Sequence, residues 1–358
     1  KEEINNAENG DKVLVEILEW KRNDISPTGR IKEILGKPGE HETEIKSILK
    51  NSNISLDFPP EVLEYTNKIS KTISEKEIEK RRDFREELTF TIDPEDAKDF
   101  DDAISYREVE KNIYEVGIHI ADVSHYVENK SVLDLEAYKR GTSIYLVDRV
   151  IPMLPEILSN MVCSLRPNEE KFTFSSIFKI NSNGEIIEEW YGKTVIKSNK
   201  RFSYAEAQEI IDKKKGNISK ENSLTNKAYE VEKNLVEAIL NLNEIAQQRR
   251  KEREKEGSIN FNKKEIKFKL DNKQNPIEVL FKESKEANKL VEEFMLLANQ
   301  KVAELFKKLK KSPSVYRVHD LPDNEKLKAL KIIVKEFGYV LDISSREGTT
   351  KTLNKLLK

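Results

Sequence analysis

A single cysteine, Cys163, leaves no partner for an internal disulfide. That suits a reducing compartment, and its apolar context predicts a packed core thiol rather than a nucleophile. Long hydrophobic runs are missing too: none approaches the ~20 residues of a membrane-spanning helix. No secretory leader pattern is visible, so a cytoplasmic protein with no membrane partner is expected. The chain also lacks an excess of either charge. Lys plus Arg total 63 and Asp plus Glu 65, a formal net charge of −2. A nucleic-acid groove would therefore require local segregation of charge. There are no internal repeats. At 358 residues the chain exceeds the usual size of one core, and two domains are expected.

Carboxylate is abundant, and it is concentrated. Residues 91–102 read Thr-Ile-Asp-Pro-Glu-Asp-Ala-Lys-Asp-Phe-Asp-Asp, placing Asp93, Asp96, Asp99, Asp101 and Asp102 within ten residues. Leu88, Phe90 and Ile92 alternate with Thr89, Thr91 and Asp93 on the way in, which reads as a strand opening into an acidic loop. Like charges so close repel unless something neutralises them. A magnesium ion, which takes oxygen ligands and completes its shell with water and phosphate, is one answer; a solvated acidic loop is the other. A calcium hand fails, because positions six and twelve counted from Asp93 hold Lys98 and Ile104 where Gly and Glu are needed.

The remaining pattern is mixed. Strands are expected over Lys12–Trp20 and Arg30–Leu35, separated by a turn with Asn23, Asp24, Pro27 and Gly29, as parts of a small barrel. Trp20 reads as barrel core or as a base-stacking platform. A helical pattern after Pro59-Pro60 continues into Glu75–Arg82, with Ser74 and Glu77 as a capping box. Lys80, Arg81, Arg82 and Arg85 read as a solvated face or a phosphate clamp. Ile113–Ala121 reads as a strand with His119 in a structural role. Phe172–Ile180 and Glu185–Ile196 form a hairpin about Asn181–Gly184. Helices are expected over Ser223–Glu256, Ala287–Lys310 and Asp323–Phe337. The Lys-rich end of the second (Lys307, Lys308, Lys310, Lys311) suits the helix dipole.

The run TIDPEDAKDFDDA resembles the catalytic signature of the ribonuclease II / ribonuclease R (RNB) family, on its ribonuclease R side. Ordered blocks agree: GIHIADVSHYV (117–127), RGTSIYLVDRVIPMLPEILSN (140–160), CSLRPNEEKFTFS (163–175), GSINF (257–261), EEFMLLAN (292–299) and YRVHD (316–320). The resemblance implies an α+β chain: a partial OB-like (cold-shock) RNA-binding barrel at 1–52, a helical connection at 53–82, and an RNB-type catalytic domain at 83–358 that is incomplete at its carboxyl end. A later Pro-Ile-Arg-Arg-Tyr-like block and an S1 domain, both part of the family pattern, are not in this sequence. The implied activity is processive 3′-to-5′ hydrolysis of single-stranded RNA to nucleoside 5′-monophosphates by a monomer.

It further implies Asp93, Asp99, Asp101 and Asp102 as catalytic ligands of Mg2+, with Mn2+ as a substitute, and Tyr145 and Tyr204 as RNA-contacting aromatics. Asp122 is a supporting candidate. Two alternatives stand beside this: an RNA-binding fragment without turnover, and a metal-dependent endoribonuclease.

Overall fold

The structure, a computed structural model, describes residues 4–20, 26–259, 264–272, 274–309 and 314–357. Asn23, Asp24, Asn260, Phe261, Lys310 and Lys311 lie outside the described residues. The strands in chain order are β1 (Lys12–Glu19), β2 (Thr28–Gly36), β3 (Arg82–Phe84), β4 (Thr89–Asp93), β5 (Asp102–Glu110), β6 (Ile113–Ala121), β7 (Ile144–Tyr145), β8 (Val150–Ile151), β9 (Glu170–Asn181), β10 (Ile186–Lys197), β11 (Lys200–Ser203), β12 (Asn217–Ile218), β13 (Tyr229–Glu230), β14 (Glu265–Leu270) and β15 (Pro276–Lys282). The helices are α1 (His41–Asn51), α2 (Pro60–Asn67), α3 (Glu75–Ile78), α4 (Val132–Arg140), α5 (Tyr204–Lys213), α6 (Lys233–Lys255), α7 (Glu286–Lys308), α8 (Asn324–Glu336) and α9 (Arg346–Leu356).

Spatial grouping cuts across chain order. One unit gathers Lys1–Ile69, Val127–Glu156 and Ile266–Phe281; the other gathers Ser70–Tyr126, Ile157–Glu265 and Lys282–Lys358. In the first, β1 and β2 pair antiparallel with three register shifts, which bend and twist such a ribbon. Helix α1, which the sequence pattern did not announce, follows directly. Trp20 is 63% exposed, so it is not barrel core. Arg140, at the end of α4, donates to Glu136 Oε1 (2.8 Å) and to the Asp57 carbonyl (2.6 Å), with its guanidinium 3.7 Å from the Phe58 ring centroid. The β7–β8 hairpin is tied to α1 at its tip. Asp148 sits 3.2 Å from His41 Nε2 and 2.6 Å from Arg149, which also reaches Glu42 at 2.5 Å. Burial disfavours the charge on Asp148, yet the bonds from Arg149 and His41 hold its carboxyl below the ordinary range.

The second unit is built on a seven-stranded sheet of order β11-β4-β5-β6-β9-β10-β3. β11–β4 and β10–β3 are parallel; the other pairs are antiparallel. Period-two alternation gives the sheet one apolar face. Phe90, Ile92, Ile104, Val116, Ile118 and Phe178 pack there with Leu235, Ile239 and Leu242 of α6 and Leu290, Phe294 and Leu297 of α7. The opposite face carries a buried polar ladder. His119 bridges Ser175 Oγ (2.7 Å) and Ser105 Oγ (2.9 Å), and burial pushes its pKa down to about 3, so the ring is neutral and structural. A Cβ at Gly117 would meet Ser105 Oγ at 2.3 Å and His119 Nε2 at 2.5 Å, so glycine is required at that position.

Four sequence expectations change. The helical run after Pro60 stops at Asn67; α3 is only four residues long, and Ser74 makes no side-chain cap. The helix expected from Ser223 starts at Lys233. Before it, Tyr229–Glu230 is held extended against β12, the Val231 amide bonds the Gly216 carbonyl (2.8 Å), and Tyr229 donates to buried Glu206. The β14–β15 hairpin and α9 were not anticipated. The cluster at 80–85 is neither a solvated helix face nor an open clamp, because its arginines sit in internal ion pairs. Arg82 pairs with Glu115, and Arg85 with Asp83 and Glu170.

Arg81 is buried and lies 2.8 Å from Asp122, with Phe172 4.0 Å beneath its guanidinium. Its Nη1 reaches the carbonyls of Thr173 and Thr194, both at 3.4 Å. Asp122 thus secures a buried arginine. Asp122→Ala should destabilise the chain by about 3–5 kcal/mol, because it leaves that arginine unpaired. Arg81→Met/Asp122→Leu together should cost clearly less. Urea midpoints check this, and a double variant as unstable as the single one would refute it.

Candidate active site

Strand β4 is buried along its whole length and ends at Asp93, which is 7% exposed. β5 begins with Asp102, so the loop between them returns the chain to the end of the sheet it left. The β4–β5 register covers Thr89–Ser105 and Phe90–Ile104, short of the loop. From Thr91 onward β4 is matched instead by β11, with Ser203 opposite Asp93. Helix α5 starts at the next residue, bringing the positive end of its dipole beside the carboxylates.

The loop is held by its neighbours. Ser164 Oγ, fully buried, accepts from the Phe100 amide (3.0 Å) and donates to the Lys98 carbonyl (3.1 Å). The Leu165 amide donates to the Phe100 carbonyl (2.8 Å), and the Ala121 amide to the Asp101 carbonyl (2.9 Å). Arg201, from β11, donates to the carbonyls of Pro94 (2.9 Å) and Glu95 (2.8 Å) and rests 4.7 Å from the Phe100 ring centroid.

The carboxylates are electrostatic neighbours. Burial raises Asp93 to about 7, and the charges of Asp102 and Asp101 add to the rise, against the lowering pull of the Thr91 side chain and of the Arg201 charge. Burial, then Asp101, raises Asp102 to about 6. Asp101 lies at the surface and is shifted upward by partial desolvation and by Asp99. Asp96 is exposed. Asp93 Oδ2 is buried with no hydrogen-bond partner. Among the described residues, no three acidic, histidine or cysteine side chains converge into a ready-made cation cage, as expected where bare carboxylates repel. The donor set still fits a hard divalent cation: oxygen ligands, an unpartnered buried carboxylate oxygen, and mutual repulsion that a cation relieves.

Tyr204 joins this group. Its hydroxyl pKa is raised by burial and then by Asp102 and Asp93, and Lys282 Nζ lies 5.6 Å from its ring centroid. Tyr145 belongs to the first unit, on β7, and at 71% exposure it is not a core residue. Asp122 turns to Arg81 instead of the acidic loop. Cys163 is buried, and burial raises its thiol to about 12, which leaves it inert. Arg201, Ser164 and Lys282 were not singled out from the sequence. Arg201 and Ser164 meet the loop, and Lys282 the Tyr204 ring, through contacts across many residues, and no local pattern announces them.

A family model described as RNB domain matches residues 81–358, and one described as Cold shock domain matches residues 1–59. The "DIS3-like exonuclease 2" of Schizosaccharomyces pombe is 40% identical over 346 residues, covering 96% of this chain and 37% of its own length. The "Inactive exonuclease DIS3L2" of Arabidopsis thaliana is 34% identical over 345 residues, covering 96% of this chain and 33% of its own. Among solved structures, Mycoplasma genitalium RNase R in complex with ribose-methylated single-stranded RNA superposes with a TM-score of 0.87 at 26% identity. That match covers 98% of this chain and 53% of the other. The chain thus spans under half the length of these curated relatives. The α+β class holds, with a cold-shock segment preceding the acidic-loop domain. With the matched model running from the buried Arg81 through the acidic loop to the last helix, the chain belongs to the RNB family.

Proposed function

We propose that this chain contributes the acidic catalytic centre of a metal-dependent 3′-to-5′ exoribonuclease acting processively on single-stranded RNA, with Mg2+ as its ion and Mn2+ as a substitute. The observation that carries this reading is the grouping of Asp93, Asp101 and Asp102 at one end of the sheet, with raised carboxyl pKa values and an unpartnered oxygen on Asp93. The names and the RNA complex of the relatives support it. Asp93, Asp99, Asp101 and Asp102 would hold the ion. When bound, the ion supplies charge neutralisation at the phosphodiester and lowers the pKa of water.

The chain's own residues do the remaining work. Asp101, the most accessible of the four proposed ligands, orients the attacking water and takes its proton. Water adds to phosphorus, the bond to the upstream 3′ oxygen breaks, and that oxygen leaves with a proton, releasing a nucleoside 5′-monophosphate. Tyr204 and Tyr145 offer ring faces to bases; such stacking tolerates any sequence. A second reading, an RNA-binding member without turnover, is favoured by a relative named as inactive.

A time course on 5′-labelled single-stranded RNA with Mg2+ tests the proposal. A ladder shortening from the 3′ end supports it; internal fragments, or binding without cleavage, refute it. Asp101→Asn should reduce turnover by about 10²-fold or more while RNA affinity stays close to wild type. Tyr145→Ala should change the length of the smallest leftover product; an unchanged end-product rules out stacking there.

The pH dependence follows from the carboxyls. Between the ordinary value of 3.8 and about 7, folded metal-free Asp93 retains a proton that the unfolded chain has released. The stability of the metal-free chain should therefore fall as pH rises through that window. Cation binding displaces the protons and should tighten over the same window, by up to about tenfold per pH unit for each proton. Thermal midpoints with and without Mg2+ check this, and a metal effect independent of pH refutes it.

A further inference from the structure

We infer that Arg201 is the positioning residue of the acidic loop, setting where the turn after Asp93 stands relative to Asp101 and Asp102. Backbone pairing does not do this work. The β4–β5 register stops at Phe90–Ile104, three residues before Asp93 ends the strand. The loop then begins with Pro94, which has no amide hydrogen to contribute to a ladder. Besides a turn bond from the Ala97 amide to the Pro94 carbonyl (3.2 Å), two sets of side-chain and backbone bonds hold the loop. Ser164, Leu165 and Ala121 grip its carboxyl half at Lys98, Phe100 and Asp101. Arg201 grips its amino half at the carbonyls of Pro94 and Glu95 and, through its contact with Phe100, ties that half to the other.

Arginine suits the role. One guanidinium nitrogen, Nη2, donates to both carbonyls while the flat face of the group rests on the Phe100 ring, a combination that a planar, delocalised cation supports. Its own base is firm, because β11 runs parallel to β4 with Arg201 opposite Thr91. Phe202, the next residue, is buried in the core beneath the sheet. The side chain touches backbone oxygens and a ring, so it acts through the carboxylates.

The consequence for catalysis rests on the proposed exonuclease reading; the positioning itself does not. The test compares the full chain with Arg201→Gln and Arg201→Lys by amide hydrogen exchange, without metal or RNA. Arg201→Gln should speed exchange of the Ala97 amide, which donates to the Pro94 carbonyl (3.2 Å) that Arg201 also holds, at least tenfold, while the Leu165 amide, bonded to the Phe100 carbonyl, stays protected. Arg201→Lys keeps the charge without the planar head that rests on Phe100, and should loosen the same Ala97 amide. Unchanged exchange at Ala97 in Arg201→Gln overturns the inference. So does full protection in Arg201→Lys, which would reduce the role to charge.

If Arg201→Gln does not fold, Phe100→Leu removes the ring under the guanidinium and leaves both carbonyl acceptors. It should speed exchange at Ala97 to a smaller degree, and no change there overturns the inference. In the kinetic arm, Arg201→Gln should lower kcat with KM for RNA unchanged, whereas a rise in KM alone would overturn a positioning role. If the wild-type chain shows no turnover, the exonuclease reading of this chain fails, and the exchange arm alone decides the role of Arg201.

Discussion

Carboxylates brought together and partly removed from water repel one another and lose hydration, and the loop after β4 concentrates both costs. Asp93 and Asp102 are raised well above the ordinary carboxylate range by burial first and by mutual charge second. Nothing in such a cluster favours its own formation. It stands because the surrounding sheet holds the backbone: β4 is buried throughout, β11 flanks its last residues, and the loop is bonded at several carbonyls and amides. In the proposed function, a bound cation would relieve that repulsion. Rigid backbone around unneutralised carboxylates is what a preorganised cation site requires.

Elsewhere in the second unit the opposite policy operates, and charges are paired off internally. Arg81 is buried against Asp122, Arg82 and Arg107 share Glu115, and Arg253 pairs with buried Glu293. A basic run that looks in sequence like a phosphate clamp is therefore part of the framework. The contrast sharpens the acidic loop. Charges paired in this way serve the fold, and the carboxylates of the loop, set beside one another, are the group on which the proposed function rests.

The short segments around Tyr145 show how chain order misleads. Residues 127–156 fall between elements of the seven-stranded sheet in sequence, yet they group with the amino-terminal strands and α1. The His41, Glu42, Asp148 and Arg149 contacts at the hairpin tip explain why. Such contacts cross about a hundred residues, and composition or periodicity carries no trace of them.

The sequence by itself determined the local elements and the chemistry type. Alternation announced β4 and β6, Asn181–Gly184 announced the β9–β10 hairpin, and the aspartate spacing announced an acidic loop after a strand. These are signals of period and of turn residues, written within a few positions of one another. Family membership was legible for the same reason, as ordered local blocks. Tertiary structure alone decided which charges are neutralised and which are not. It buried Arg81 on Asp122, left Tyr145 and Trp20 exposed, cut the expected long helix back to Lys233, and set Arg201 against the carbonyls after Asp93. Each of those outcomes depends on pairing between strands or helices far apart in the chain, where desolvation and Coulomb energy depend on distance in space and not on distance in sequence.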